Sequence, residues 1–290
     1  MVRSMLDTVA SRTAHRVAVR RAEHQVLDSP RIFEDPLSLR IIEPESLAKI
    51  RPGQVNRKQR LTKSFRAFMA LRSRWAEDEL AKAVGQGIGR GIRQYVILGA
   101  GLDTFAYRNP DPELQVFEVD HPATQAWKQE RLAGAGIPIP ASMEFVAAHF
   151  ERESVAEALA RTSFRPDAPA FFAWLGVIPY LTDAAFEETL RFVATRPEGS
   201  GIVFDYAIPR TMLNPVESMA LDALSLHVAN AGEPFRLFFE PEALMARLLD
   251  MGFHSIEDLG RDQMNARYYA GRADGLRVKG NLARLVRAGV

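Results

Sequence analysis

The sequence of 290 residues contains no cysteine. Disulfides, a thiolate nucleophile and a zinc–cysteine centre are therefore excluded, and the composition fits a reducing compartment. Long hydrophobic runs are also missing, because no apolar stretch approaches the roughly 20 residues that a membrane helix needs. Charge of one sign does not dominate, since 37 lysines and arginines face 36 aspartates and glutamates. This balance calls for neither nucleic acid nor a membrane surface as a partner.

Several motifs are missing as well. The first residues carry Arg3, Asp7, Arg12 and Arg16 and no apolar core, which predicts a cytoplasmic protein without a signal peptide. The six histidines are scattered without ligand spacing, so we predict no metal site. No G-x-S-x-G nucleophile motif occurs. The basic run "RTAHRVAVRR" could contact phosphates, but a solvated helix face explains it more simply.

What is present divides the chain into two parts. Residues 1 to 90 are typical of helices, with candidates at 11–25, 32–42 and 56–84, and we interpret them as a helical cap. The stretch "GQGIGRG" joins this cap to residues 91–290, which we predict to form one Rossmann-like unit.

Strand-like and helix-like stretches alternate in this second part. We predict seven strands, at "QYVILG", "LQVFEVD", "MEFVAA", "AFFAWLG", "GIVFDYA", around "HSIEDLG" and near "NLARLVRA". Helices are predicted at about 122–134, 151–162, 182–195, 214–230 and 241–250. Apolar strands that alternate with helices indicate an α/β fold with a mostly parallel sheet covered on both faces.

The stretch "LGAGLDT" marks a candidate nucleoside site. Gly99 and Gly101 follow a buried strand, where glycine lets the backbone turn sharply and approach a ligand. Asp120 ends the next strand, 19 residues after Gly101, the distance expected of an acid that holds ribose hydroxyls. A dinucleotide fingerprint would need a third glycine, and Asp103 would repel a pyrophosphate. S-adenosylmethionine, which has a ribose and an ammonium but no phosphate, suits the pattern better; the alternative for Asp103 is a helix cap in an unrelated α/β protein.

Several longer stretches together resemble one family. "AVRRAEHQVLDSPRIFEDPL", "QYVILGAGLDTFAYR", "VFEVDHPATQAWKQERL", "FFAWLGVIPYLTDAAFEETL" and "GEPFRLFFEPEALMARLLDMGF" look like the leucine carboxyl methyltransferase family, in its bacterial branch of S-adenosylmethionine-dependent O-methyltransferases. The resemblance runs from about residue 13 to the C-terminus. It implies a class I methyltransferase fold, with a seven-stranded sheet whose last strand is antiparallel and a helical N-terminal cap.

The resemblance also implies roles for individual residues. Asp120 would hold the ribose, and an arginine of the N-terminal helices, Arg72 or Arg21, would hold the cofactor carboxylate. The residues around the methionyl portion would be Gly99, Ala100, Gly101 and Asp103.

Arg72 is also supported by helical spacing. Leu61, Phe65, Phe68 and Trp75 recur at offsets of 4, 7 and 14, which predicts an inward stripe, and Arg72 falls on it. A charge that faces a core needs a partner. A ligand carboxylate would be one, and an internal Asp or Glu would be another.

Two positions depart from the family pattern. His149, followed by Phe150, stands where related enzymes usually carry an Asp that meets the adenine amino group. Leu175 replaces a Glu found in the eukaryotic enzymes that methylate a phosphatase tail. A neutral His149 can still accept a hydrogen bond from the adenine amino group. Leu175 puts the phosphatase-tail activity in doubt and leaves an apolar lining.

Candidates for the acceptor side are few. Tyr180 and Tyr206 each follow a predicted strand at the functional edge, and either could hydrogen-bond an acceptor or simply pack. His121 more plausibly shapes its turn than acts as a base, Arg108 belongs to a Tyr-Arg turn, and His227 fits a solvated helix face.

We therefore expect an S-adenosylmethionine-dependent O-methyltransferase acting on a carboxylate or hydroxyl of a small molecule, such as a secondary metabolite. The alternatives are a carboxyl methyltransferase of a protein C-terminus, a non-catalytic nucleoside-binding protein and a nicotinamide-dependent oxidoreductase. The missing third glycine and Asp103 argue against the oxidoreductase.

Overall fold

Within the residues that the structure describes, four helices with defined bounds precede the first strand. The computed structural model describes residues 11–51, 59, 62–85, 91–150 and 152–290. The helices are α1 (Arg12–Leu27), α2 (Ser38–Ile41), α3 (Pro44–Leu47) and α4 (Lys63–Gly85). The helices expected within 11–25 and 32–42 are confirmed, and so is the later part of the one expected over 56–84. Most of the earlier part, and most of "GQGIGRG", lie outside the described residues.

The predicted seven-stranded sheet is confirmed. Its strands are β1 (Gln94–Leu98), β2 (Gln115–Asp120), β3 (Met143–Ala147), β4 (Phe171–Trp174), β5 (Gly201–Ala207), β6 (Ser255–Leu259) and β7 (Ala283–Gly289). They lie in the order β3-β2-β1-β4-β5-β7-β6. The pairs among β1 to β5 are parallel, while β7 runs antiparallel to both β5 and β6.

Helices connect these strands. They are α5 (Pro122–Gly134), α6 (Val155–Leu159), α7 (Asp183–Ala194), α8 (Pro215–Ala229), α9 (Pro241–Asp250) and α10 (Arg261–Tyr268). The predicted helices agree with α5, α7, α8 and α9, whereas α6 is shorter than the expected 151–162. Its start is fixed by a capping box, in which Ser154 and Glu157 satisfy each other's backbone N–H groups.

The chain changes direction across the sheet at β1. From β1 it proceeds outward to β2 and β3, and it then returns to the other side of β1 for β4 and β5. The loops after β1 and β4 therefore diverge from one point, at the carboxyl ends of adjacent parallel strands. In open α/β sheets this is the crevice in which ligands bind.

Both faces of the sheet are covered, as its apolar strands require. On β1, Val96 and Leu98 pack into one core, while Tyr95 and Ile97 pack into a second core that includes Phe68, Leu71 and Trp75 of α4. The helix α4 thus packs directly against the sheet and shares this second core with it.

The stripe predicted on α4 is wrong at Phe65, whose exposed fraction is 37%. Phe68, Arg72 and Trp75 are buried as expected, and Leu61 lies outside the described residues. The helix is covered on all sides from Arg66 to Ser73, so burial there does not follow one stripe. Phe65 lies in the first turn, before the covered part begins.

Candidate active site

A cavity of about 430 Å³ opens at the change of direction in the sheet. Its walls come from α1, α4 and the loops that follow β1, β2, β3 and β4, together with residues 232 to 236. The volume lies within the roughly 300–1,000 Å³ typical of small-molecule sites. The structure brings together the following predicted residues around this cavity: Arg21, Arg72, Gly99, Ala100, Gly101, Asp103, Asp120, His149, Phe150, Leu175 and Tyr180.

The glycine bend after β1 is required by both backbone and packing. Gly99 and Gly101 have φ of +68° and +50°, in the left-handed region that favours glycine. A Cβ on Gly99 would lie 2.3 Å from Cγ2 of Val177, and one on Gly101 would lie 3.0 Å from Cβ of Ala14. The close approaches that demand glycine here are therefore made by the loop after β4 and by α1, and the bend holds both elements at the cavity.

Asp120 ties the end of β2 to this bend. Its Oδ2 accepts a hydrogen bond from the N–H of Gly101 at 2.5 Å, and its Oδ1 accepts one from the N–H of His121 at 2.6 Å. Burial raises the pKa of Asp120, and the two N–H donors oppose that rise. The spacing that suggested a ribose acid thus also reflects a direct contact between the acid and the glycine bend.

Asp103 makes a local contact to the backbone of its own loop. Its Oδ1 accepts a hydrogen bond from the N–H of Phe105, two residues on, at 2.7 Å, while the N-cap residue of the short 3₁₀ turn that follows is Thr104. The same side chain lines the cavity, and its Oδ2 lies 3.5 Å from Nη1 of Arg21.

Arg21 already has partners within the protein. Its Nε and Nη2 donate to Oδ2 of Asp35 at 3.1 and 2.5 Å, and Nη2 also lies 2.9 Å from the hydroxyl of Thr104. Asp35 is fully buried, and the Arg21 and Arg108 guanidinium groups lower its pKa against the effect of burial. Arg21 reaches the cavity wall but is anchored to this internal carboxylate.

Arg72 also has an internal partner, as one of the two interpretations foresaw. Its Nη1 donates to Oδ2 of Asp205, on β5, at 3.0 Å. Unlike Arg21, which meets several internal acceptors, Arg72 has this one ion pair among the described contacts, and its side chain lines the cavity.

The loops after β2 and β3 meet through two histidines. The rings of His121 and His149 pack edge to face, with centroids 4.4 Å apart. Nδ1 of His121 accepts a hydrogen bond from the N–H of Ala123 and so caps α5, which places the proton of a neutral ring on Nε2. This is the turn-shaping role expected for His121. His149 and Phe150 form the cavity wall beside it, and Leu175 lies across from them after β4.

The two candidate tyrosines, Tyr180 and Tyr206, lie in different environments. Tyr180 lines the cavity, and burial raises its pKa to about 12. Tyr206 does not belong to the site: it is fully buried, and its hydroxyl donates to the carboxylate of Asp258. Side chains alternate along a strand, so Asp205 points toward Arg72 while Tyr206 points into the opposite core, where it packs against Phe239.

Two other candidates lie away from the cavity. Arg108 pairs with Glu77 and Asp35, which fits its role in the turn. His227 is exposed on α8.

Sequence reasoning missed four residues that the structure places at or behind the cavity. Thr13 and Glu233 join α1 to the segment after α8: Oε2 of Glu233 accepts from both the N–H and the hydroxyl of Thr13. Arg236 lines the same wall, and Asp205 holds Arg72 from behind. The acid within β5 was visible in "GIVFDYA", but nothing local indicated its partner.

Comparison with known proteins agrees with this geometry. The family model described as leucine carboxyl methyltransferase matches residues 14–194. The chain belongs to the leucine carboxyl methyltransferase family. The chain is therefore an S-adenosyl-L-methionine-dependent methyltransferase, and S-adenosylmethionine is its cofactor.

Individual relatives support the assignment. The protein named "Putative S-adenosyl-L-methionine-dependent methyltransferase YktD" of Bacillus subtilis (strain 168) is 31% identical over 285 residues, covering 89% of this chain and 91% of its own. A protein of the same general name from Saccharopolyspora erythraea is 33% identical over 176 residues, covering 60% of this chain and 58% of its own. The crystal structure of a DUF574 family protein from Streptomyces avermitilis superposes with a TM-score of 0.55 at 18% identity, covering 93% of this chain and 99% of its own, and shows the shared fold.

Two features are absent from the part of the chain that the structure describes. In ranges 11–51, 62–85, 91–150 and 152–290, together with residue 59, no helix combines the length and apolarity that a bilayer crossing needs. Within that same part of the chain, no three His, Cys, Asp or Glu side chains cluster as metal ligands would.

Proposed function

We propose that this methyltransferase acts on oxygen and that its acceptor is a carboxylate of a small molecule. The observation that carries the proposal is the cationic wall of the cavity. Besides Arg21 and Arg72, the side chains of Arg152 and Arg236 line it, against the acids Asp103, Asp120 and Glu233. One cofactor carboxylate needs only one of these arginines, and an arginine with an internal partner keeps further N–H donors, so this wall suits an anionic second substrate.

The residues fit the cofactor by their chemistry. Asp120, at the tip of β2, presents a carboxylate for the ribose hydroxyls, while Arg72 presents guanidinium donors for the cofactor carboxylate. Asp103 supplies an acid for the ammonium, beside Gly99, Ala100 and Gly101. His149, Phe150 and Leu175 form the wall for the adenine. Arg21 is a second, more heavily paired candidate for the carboxylate.

Methyl transfer from S-adenosylmethionine requires little chemistry from the protein side chains. When bound, S-adenosylmethionine supplies an electrophilic methyl group on a sulfonium, which an oxygen nucleophile displaces in line. The protein's task is to align the acceptor, which can be worth about 7–11 kcal/mol. A carboxylic acid with a pKa near 4 is already ionised at pH 7, so it needs no general base. Tyr180 is placed to donate a hydrogen bond to the acceptor, because its raised pKa keeps its hydroxyl protonated.

The N-terminal helices would exclude water from this reaction. An anion that meets a cation to give neutral products gains from a dry site. We propose that residues 1–90 act as a cap and residues 91–290 as the methyltransferase unit, with α1 as the described part that covers the cavity. The contact between Thr13 and Glu233 supports this arrangement, since it holds α1 against the opposite wall.

The acceptor class is tested with cofactor labelled in its methyl group. The full chain is incubated with a metabolite extract and, separately, with total protein. We expect the label on small molecules, in products that mild base converts to labelled methanol, because methyl esters hydrolyse and methyl ethers do not. Base-stable label on small molecules would contradict a carboxylate acceptor, and mass spectrometry of the labelled product would then show whether a hydroxyl oxygen carries the methyl group.

The remaining alternatives give different results in the same experiment. Label on protein would favour a carboxyl methyltransferase of a protein C-terminus. Leu175 argues against this alternative, because it stands in place of an acid. Binding of S-adenosylhomocysteine without any transfer would favour a non-catalytic nucleoside-binding protein. A variant with Asp120→Asn serves as the control for background labelling.

A further inference from the structure

The guanidinium of Arg72 is held from behind by two groups on neighbouring strands. Oδ2 of Asp205 accepts from its Nη1 at 3.0 Å, while Oδ1 of the same carboxylate accepts from the N–H of Gly176. Asp205 lies within β5, two residues before its end, and Gly176 follows β4, so one carboxylate links both strands to α4. The side chains of Arg72 and Asp205 are only 6% and 7% exposed.

Gly176 leaves the space that this arrangement needs. Its φ is +73°, and a Cβ there would lie 2.7 Å from Nη2 and 2.8 Å from Nη1 of Arg72. Any side chain at position 176 would thus displace the guanidinium. Arg72 and Gly176 both line the cavity, whereas Asp205 is absent from the described residues of its wall.

We infer that Asp205 is a positioning residue, which orients Arg72 so that its remaining donors meet the carboxylate of the cofactor. This inference rests on the proposed function, in which Arg72 binds that carboxylate. Arginine has five N–H donors in a rigid fork, so one can be fixed by an internal partner while others stay available to a ligand. A long side chain fixed in advance loses less rotamer freedom when the ligand binds.

Two ligands distinguish a positioning role of Asp205 from a general effect of the substitution on stability. S-adenosylhomocysteine carries the amino acid portion, whereas 5′-methylthioadenosine has the same nucleoside and thioether without it. Calorimetry on the full chain measures both affinities. With Asp205→Asn we expect about a tenfold loss for S-adenosylhomocysteine, similar to losses on removing an outer partner of a ligating side chain. The affinity for 5′-methylthioadenosine should stay within about twofold, since it makes no contact that Arg72 supplies.

Further variants make the result decisive. Arg72→Gln should show the same selectivity between ligands, and the double variant should lose no more than Arg72→Gln alone, because Asp205 acts only through Arg72. Gly176→Ala should also weaken S-adenosylhomocysteine selectively, and it decides the matter if Asp205→Asn does not fold. Asp222→Asn, which removes an exposed ion pair with Arg210, is the matched control.

The outcomes distinguish the inference from the function beneath it. Equal weakening of both ligands by Asp205→Asn, an unchanged affinity, or additive losses in the double variant would overturn the positioning role. If the unmodified chain bound neither ligand, the proposed function itself would fail. If Arg72→Gln were selective and Asp205→Asn were not, only the inference about Asp205 would fail.

Discussion

At the level of single residues, the cavity depends on a few charged groups that have hydrogen-bond partners within the protein. These groups still have donors or acceptors left for a ligand. Asp120 accepts two backbone N–H groups, Asp103 accepts the N–H of Phe105, and Arg72 pairs with Asp205. Each carboxylate has about four lone-pair sites and each guanidinium five donors, so these contacts do not exhaust them. Internal pairing therefore fixes the geometry without excluding a ligand.

Asp120 gives the first prediction at this scale. Asp120→Asn keeps the shape of the side chain but removes the charge that we propose accepts two ribose hydroxyls. Hydrogen bonds to charged groups contribute about 1.5–3 kcal/mol each. We expect the affinity for S-adenosylhomocysteine, measured by calorimetry, to fall by about 10–100-fold. An affinity no weaker than that of the Asp222→Asn control would contradict a ribose role for Asp120.

Tyr180 gives a prediction about pH. Burial raises its pKa to about 12, so its hydroxyl stays neutral and donating below about pH 11. For a carboxylate acceptor, kcat should therefore be level from about pH 6 to 10, and Tyr180→Phe should lower kcat about tenfold without changing S-adenosylhomocysteine affinity. Tyr206→Phe, buried elsewhere, should leave kcat unchanged. A wild-type inflection between pH 9 and 10 that Tyr180→Phe abolishes would show instead that this tyrosine acts as a base.

At the scale of elements, the site is assembled by interlocking loops rather than by one motif. The bend after β1 packs against Val177 from the loop after β4, and Ala14 of α1 packs against Gly101. The start of α1 is held by Glu233, whose carboxylate accepts from an N–H at the helix N-terminus, where a negative charge is stabilising. The contact between Thr13 and Glu233 thus ties α1 to the segment after α8.

The contact between Thr13 and Glu233 leads to a prediction about the dissociation rate of S-adenosylhomocysteine. Glu233→Ala removes the acceptor of two hydrogen bonds, at a cost of about 1 kcal/mol, so dissociation of S-adenosylhomocysteine should accelerate by about fivefold. Stopped-flow displacement measures this rate. Thr13→Val should give a similar increase, and the two changes together should not add, since they remove the same contact. Glu242→Gln, an exposed change in the first turn of α9, serves as the control; an equal effect there would refute the role of the contact.

At the scale of the whole molecule, the cavity lies where α1, α4 and the sheet come together, so a ligand there bridges parts of the chain that are distant in sequence. The helix α4 shares a core with β1, and α1 rests on the bend after β1. A ligand that contacts all three binds the folded chain and not the unfolded one. Binding must then appear as stability of the entire fold.

Thermal unfolding tests this consequence. At 100 times its dissociation constant, S-adenosylhomocysteine should raise the free energy of unfolding by about 2.7 kcal/mol and Tm by several degrees. At the same concentration, Asp120→Asn should gain only about 0.4–1.4 kcal/mol, because an affinity weaker by about 10–100-fold leaves the ligand at only about 10 to 1 times the dissociation constant of the variant. A shift of equal size in this variant would place the stabilising ligand elsewhere.

The alternation of strands and helices and the spacing from the glycine bend to Asp120 could be predicted from the sequence, because they follow from local periodicity and from residues at strand ends. Carboxyl ends of parallel strands meet at one edge, which is why most of the predicted residues came together. The contact of Asp205 with Arg72, 133 residues away, could not be predicted in this way, nor could the position of Tyr206 in the opposite core or the contact of Glu233 with Thr13, 220 residues away. Strand alternation fixes that neighbours point to opposite faces, but which face meets α4 depends on packing between distant elements, which no local pattern encodes.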